Sequence, residues 1–68
     1  MPERQFELFD QSTAALMRAA YHDVCTELKD CTEEERERVV NCIIQLVQDG
    51  ERRRSYLSSK ALALLRPS

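Results

Sequence analysis

Two short signals divide this chain into three stretches and leave few residues over. Thr32 is followed three residues later by Glu35, a pattern typical of a helix N-terminus at which two side chains cap each other's backbone. Gly50, the single glycine, marks the end of a helix because glycine most easily adopts the left-handed conformation found there. Apolar residues recur at helical spacing on both sides of each signal, so the sequence predicts an all-α fold.

The first stretch has the clearest periodicity. Asp10 is a good N-cap, because its carboxylate can accept the backbone N–H groups of a first helical turn. The apolar stripe that follows is Ala14, Met17, Tyr21, Val24 and Leu28. This spacing predicts a helix over residues 11–29, with residues 1–9 as a partly ordered lead-in.

The other two stretches predict helices over residues 33–49 and 53–66. A β-branched run from Val39 to Ile44 also suits a strand, but alternation is absent and the cap at Thr32 favours a helix. The third helix begins between Glu51 and Ser55, and Pro67 stops it. Short connections then give a small three-helix bundle, a single domain over residues 1–68.

Size raises the prospect of a shared core. For 68 residues, burying apolar surface contributes about 100 kcal/mol, and ordering the chain costs about the same. A chain with so little surplus packs very efficiently or completes its core with a second copy, so a homodimer is one expectation.

Charge is unevenly distributed along the chain. Residues 1–50 carry eleven acidic and five basic side chains, whereas residues 51–68 carry one acidic and five basic ones. Such asymmetry is typical of an intramolecular fit or of a partner with the opposite charge. Three sparse cysteines, an acidic N-terminus and the absence of a long apolar run predict a cytoplasmic protein with no membrane contact.

Enzymatic chemistry finds little support. His22, Cys25 and Cys31 offer an imidazole and two thiols, but their spacing matches no zinc motif and a fourth ligand is missing. Carboxylates occur without a sheltered cleft, and one glycine allows no phosphate-cradling loop. We therefore expect no catalytic residues, no metal, no cofactor and no small-molecule substrate.

The start of the third helix carries the candidate binding residues. They are Arg52, Arg53, Arg54, Tyr56 and Lys60. An exposed basic helix after a helix and a turn is similar to a DNA recognition helix. Alternatively, the arginines pair with acidic residues of the first two helices or are solvated. The surrounding acidic chain repels phosphates, so the leading hypothesis is a non-enzymatic interaction or regulatory protein that binds protein, with nucleic-acid binding as the alternative.

The order of several residues resembles a group of short, uncharacterised all-helical proteins of alphaproteobacteria. The residues that carry this resemblance are Phe9, Asp10, Thr13, Ala15, Leu16, Arg18, Ala19, Ala20, Ile43, Ile44, Asp49, Gly50, Glu51, Arg52 and Leu57. Members of the group tend to have Asp-Pro where this chain has Arg53 and Arg54. The resemblance implies a compact helical fold and a bacterial source, and it brings no activity, cofactor or partner with it.

Overall fold

The computed structural model describes residues 2–65 as four helical elements. A 3-10 helix, Pro2–Leu8, leads into the α-helices α1 (Gln11–Glu27), α2 (Glu33–Gln48) and α3 (Arg54–Leu65). No strand occurs within the described part of the chain. The predicted all-α three-helix bundle is therefore confirmed, whereas the homodimer stays a prediction.

Each α-helix packs against the other two, and the 3-10 helix packs against α1 and α2. The core is made of buried apolar side chains from all four elements. They are Phe6, Ala14, Met17, Ala20, Val24, Val39, Val40, Ile43, Val47, Leu57 and Ala61. Removing this surface from water is what holds helices of twelve to seventeen residues together, since isolated helices of that length are marginal in water.

The helix starts follow the predicted signals. The Asp10 carboxylate accepts the backbone N–H of Thr13 at 3.2 Å and its hydroxyl at 2.6 Å, and these hydrogen bonds lower the pKa of Asp10. The Thr32 hydroxyl accepts the Glu35 N–H at 3.1 Å, and the Glu35 carboxylate accepts the Thr32 N–H at 2.9 Å. Both predicted N-caps are confirmed.

The predicted helix ends need small corrections. α1 ends at Glu27 instead of residue 29, because Leu28 adopts an extended conformation while its N–H still bonds to the Val24 carbonyl. α2 ends at Gln48 instead of residue 49, and α3 begins at Arg54 instead of residue 53. The predicted end at residue 66 and the stop at Pro67 lie outside the described residues.

The segment before α1 is part of the packed structure. Phe6 in the 3-10 helix has no solvent-exposed surface, and its ring meets that of Tyr21 edge-on with centroids 6.0 Å apart. The sequence placed residues 1–9 in a partly ordered lead-in, of which residue 1 lies outside the described residues. The structure adds that this segment supplies a large side chain to the core.

Candidate functional site

The turn that leads into α3 has the hydrogen bonds of a Schellman motif. Gly50 has a backbone φ of 99°, a conformation that residues other than glycine rarely adopt. The Gly50 N–H bonds to the Val47 carbonyl and the Glu51 N–H bonds to the Leu46 carbonyl, both at 3.0 Å. The predicted end of α2 at glycine is confirmed, and the turn aims the next residues across the end of α2.

The Arg52 side chain forms hydrogen bonds at the C-terminal end of α2. One nitrogen of its guanidinium donates to the Val47 carbonyl at 2.8 Å and to the Glu51 carbonyl at 2.9 Å. Carbonyl oxygens in the last turn of a helix have no partner within that helix, and they lie at the negative end of its dipole. The cation therefore stabilises both the turn and the helix before it.

Glu51 organises Arg53. One oxygen of its carboxylate accepts the backbone N–H groups of Arg52 and Arg53, at 3.2 and 3.1 Å, and the Arg53 side-chain Nε–H at 3.0 Å. These contacts lower the pKa of Glu51 and raise that of Arg53. The Arg53 guanidinium also lies 5.0 Å from the centroid of the Tyr56 ring, and the Lys60 ammonium lies 5.6 Å from the same centroid.

Arg54 joins α3 to α1. Its Nε–H and one terminal nitrogen each donate to a different oxygen of Asp23 at 2.8 Å, across 31 residues of sequence. This two-pronged arrangement matches the guanidinium fork to the carboxylate and lowers the pKa of Asp23. Asp23 is the functional partner that the sequence reasoning did not assign. Asp23 lies beside the apolar stripe of α1, which indicates that it is close to a neighbouring helix. Nothing in the sequence indicates which arginine would reach it.

An open groove of about 1070 Å³ runs between α1 and α3 beside this ion pair. Its apolar lining comes from Val24 and Leu62, and its remaining surface is charged or hydroxylated. The polar lining residues are His22, Asp23, Thr26, Glu27, Arg53, Arg54, Ser55, Ser58 and Ser59. Two of the five predicted binding residues, Arg53 and Arg54, line the groove, whereas Arg52, Tyr56 and Lys60 are not among its lining residues.

The thiols and the imidazole do not assemble into a metal site. Among residues 2–65, no three His, Cys, Asp or Glu side chains are placed to hold a metal ion. Cys25 and Cys31 are close neighbours, both half-buried and free, and Cys42 lies apart from them in α2 beside Lys60 of α3. Burial raises the pKa of the Cys31 and Cys42 thiols, which reduces their reactivity as nucleophiles at neutral pH.

No α-helix in the described part of the chain is long and apolar enough to cross a membrane. Comparisons with known proteins add no relative, because no family model, curated protein or solved structure matches this chain. The resemblance to the alphaproteobacterial group stays a prediction.

Proposed function

We propose that this chain is a non-enzymatic protein of a regulatory type that works by binding polypeptide, either another protein or a second copy of itself. The observation that carries the proposal is the contrast between the basic segment and the groove. All three guanidiniums of Arg52, Arg53 and Arg54 are bound to carbonyls or carboxylates of the same chain. The groove between α1 and α3 remains open beside them.

The contacts of the arginines within the chain disfavour the binding of nucleic-acid phosphates. Charge-assisted, two-pronged hydrogen bonds such as those of Arg54 to Asp23 are roughly twice as strong as neutral ones. Glu51 and Asp23 also place a negative charge beside two of the three arginines. A phosphate group would have to displace these carboxylates on a chain whose net charge is already −2, and phosphate contacts depend on an excess of positive charge.

The lining of the groove favours a polypeptide partner. Sites for small molecules are largely enclosed and cover most of the ligand, whereas this groove is open to solvent. Open access to water also disfavours acid–base catalysis, which depends on a sheltered environment. The two walls carry apolar, hydroxyl and charged groups, so a peptide can place both backbone and side chains against them.

Exposed apolar side chains give separate support for self-association. Among the described residues, Leu8 and Leu64 are exposed by 86% and 57%. Leu64 lies three residues after the buried Ala61 in α3, and it leaves an apolar side chain of this helix open to contact. Sedimentation equilibrium over a range of concentrations tests this part: a mass of 7.9 kDa throughout contradicts it, and a larger mass supports it.

A photoreactive amino acid in the groove tests polypeptide binding directly. We would place it at Ser59, an exposed lining residue, and at Asn41, an exposed residue of α2 outside the groove. Irradiation in the source cell should join the position-59 variant to one discrete polypeptide, and a blocking change, Leu62→Arg, should abolish the adduct. Equal labelling from both positions, or no adduct at position 59, contradicts the proposal.

Nucleic-acid binding remains the second candidate because of one arrangement. Arg53 and Lys60 flank the ring of Tyr56, and aromatic rings with neighbouring cations are used to stack and neutralise single strands. Titration of labelled single-stranded and duplex oligonucleotides at 50 mM salt tests it. Binding that weakens steeply as salt rises and disappears in the Arg53→Ala, Lys60→Ala double variant supports this candidate, and no binding at 50 mM salt eliminates it.

A further inference from the structure

Two cysteines meet where α1 ends. Cys25 lies in the last turns of α1, and Cys31 lies six residues later, immediately before the N-cap of α2. Leu28 adopts an extended conformation while its N–H still bonds to the Val24 carbonyl at 2.9 Å, so the chain leaves α1 at this residue. The Cys31 thiol donates a hydrogen bond to the Leu28 carbonyl at 3.4 Å, which places it about one helical turn from Cys25, and burial together with the nearby Cys25 thiol raises the pKa of Cys31.

We propose that Cys25 and Cys31 form an intramolecular disulfide when the protein meets a low-molecular-weight disulfide such as oxidised glutathione. The bridge would join the last turns of α1 to the residue before α2 and so fix the connection between the two helices. This proposal is independent of the proposed function, because neither cysteine lines the groove.

The chemistry is two successive thiol–disulfide exchanges. One cysteine loses its proton, and its thiolate attacks a sulfur of oxidised glutathione, which forms a mixed disulfide and releases one glutathione thiolate. The second cysteine then attacks the protein sulfur of the mixed disulfide and releases the other. Overall, two cysteine thiols are oxidised to one disulfide, and one molecule of oxidised glutathione is reduced to two of glutathione.

Disulfide formation between Cys25 and Cys31 is favoured by the short distance between the two residues in the fold and not by a reactive thiol. The raised pKa of Cys31 keeps its thiol largely protonated, so Cys31 is a poor attacking group in the first exchange. The second exchange is intramolecular, and its equilibrium depends on how closely the fold holds the two sulfurs. Cys42 provides an internal comparison, because it is also a half-buried free thiol but lies in the middle of α2.

The bridge can be located by digestion. Trypsin cuts after Lys29, so peptides 19–29 and 30–36 stay joined only if Cys25 is bonded to Cys31. In glutathione buffers the folded protein should lose two hydrogens, keep those two peptides joined and leave Cys42 open to alkylation. Joining to Cys42 as the main product would overturn the proposal.

The decisive measurement is the effective concentration of the two thiols, from the bridged fraction at fixed glutathione ratios. Using the Cys42→Ser variant, with folding checked by circular dichroism, we expect a value in native buffer at least tenfold above that in 8 M urea. The matched control, Cys25→Ser, keeps Cys31 and Cys42 and should show no such native excess. A native value equal to or below the urea value contradicts the proposal, because the fold would then not hold the sulfurs together.

Discussion

The two connections between the helices start the next helix in different ways. Between α1 and α2, the start signal is local: Thr32 and Glu35 cap each other within a single turn. Between α2 and α3, Gly50 reverses the chain and Arg54 then reaches Asp23, 31 residues earlier. The first connection is therefore defined by neighbours in sequence, whereas the second is completed by the tertiary structure.

The largest expected change in the free energy of unfolding comes from the apolar side chains beside the two connections, which are buried to different degrees. Leu57 is fully buried and follows the second connection, whereas Leu28 begins the first and is only half-buried. Leu57→Ala should lower the free energy of unfolding by about 2–5 kcal/mol, because it removes buried surface and leaves a cavity. Leu28→Ala should lower it by about 1 kcal/mol. Urea unfolding measures the free energy of unfolding of both variants. An equal loss in the two would contradict the difference in burial between Leu57 and Leu28.

Gly50→Ala tests the backbone of the second connection. No atom lies within 4 Å of the position a β-carbon would occupy, so the expected loss of about 1–2 kcal/mol comes from the positive φ alone. Gly50→Asn is the matched control, since asparagine tolerates positive φ better and should recover part of the loss. Thermal or urea unfolding that shows alanine to be harmless would mean that the turn does not require this conformation.

Thr32→Ala tests the first connection in the same way. Loss of the capping hydroxyl should lower the free energy of unfolding by about 1 kcal/mol, whereas Thr32→Ser keeps the oxygen and should stay close to the parent protein. An equal loss in both variants would show that the methyl group, and not the hydrogen bond to Glu35, is responsible.

Acid should weaken both connections slightly. Hydrogen bonds to the Thr32 backbone and side chain lower the pKa of Glu35, and contacts with Arg53 lower that of Glu51. A carboxylate whose pKa is lower in the folded state adds stability above the pKa of the unfolded chain, about 4.3, and this contribution is lost as the pH falls through the folded pKa. Carboxyl NMR titration of Thr32→Ala should raise the Glu35 pKa only in part, because alanine keeps the backbone N–H that lowers it most, and should leave Glu51 unchanged. A Glu51 pKa that shifts together with that of Glu35 in this variant would contradict a cap that acts only locally.

Sequence reasoning succeeded where the interaction is local. The caps at Asp10 and Thr32, the end of α2 at Gly50 and the three-helix fold all follow from spacing within one or two turns. It did not place Phe6 in the core, because a single aromatic residue before a helix carries no periodicity. The sequence also left the basic segment with two interpretations, since the pairing of Arg54 with Asp23 depends on how α1 and α3 pack.

The pairing of Arg54 with Asp23 indicates that the arginines of the second connection act mainly by stabilising the folded chain. Replacing Arg52, Arg53 and Arg54 with lysine keeps every positive charge but removes the planar fork that binds carbonyls and carboxylates. Urea unfolding of this triple variant should show a lower midpoint, whereas the matched control, Arg18→Lys, Arg36→Lys and Arg38→Lys, should match the parent protein. An unchanged midpoint in the first variant would contradict the claim.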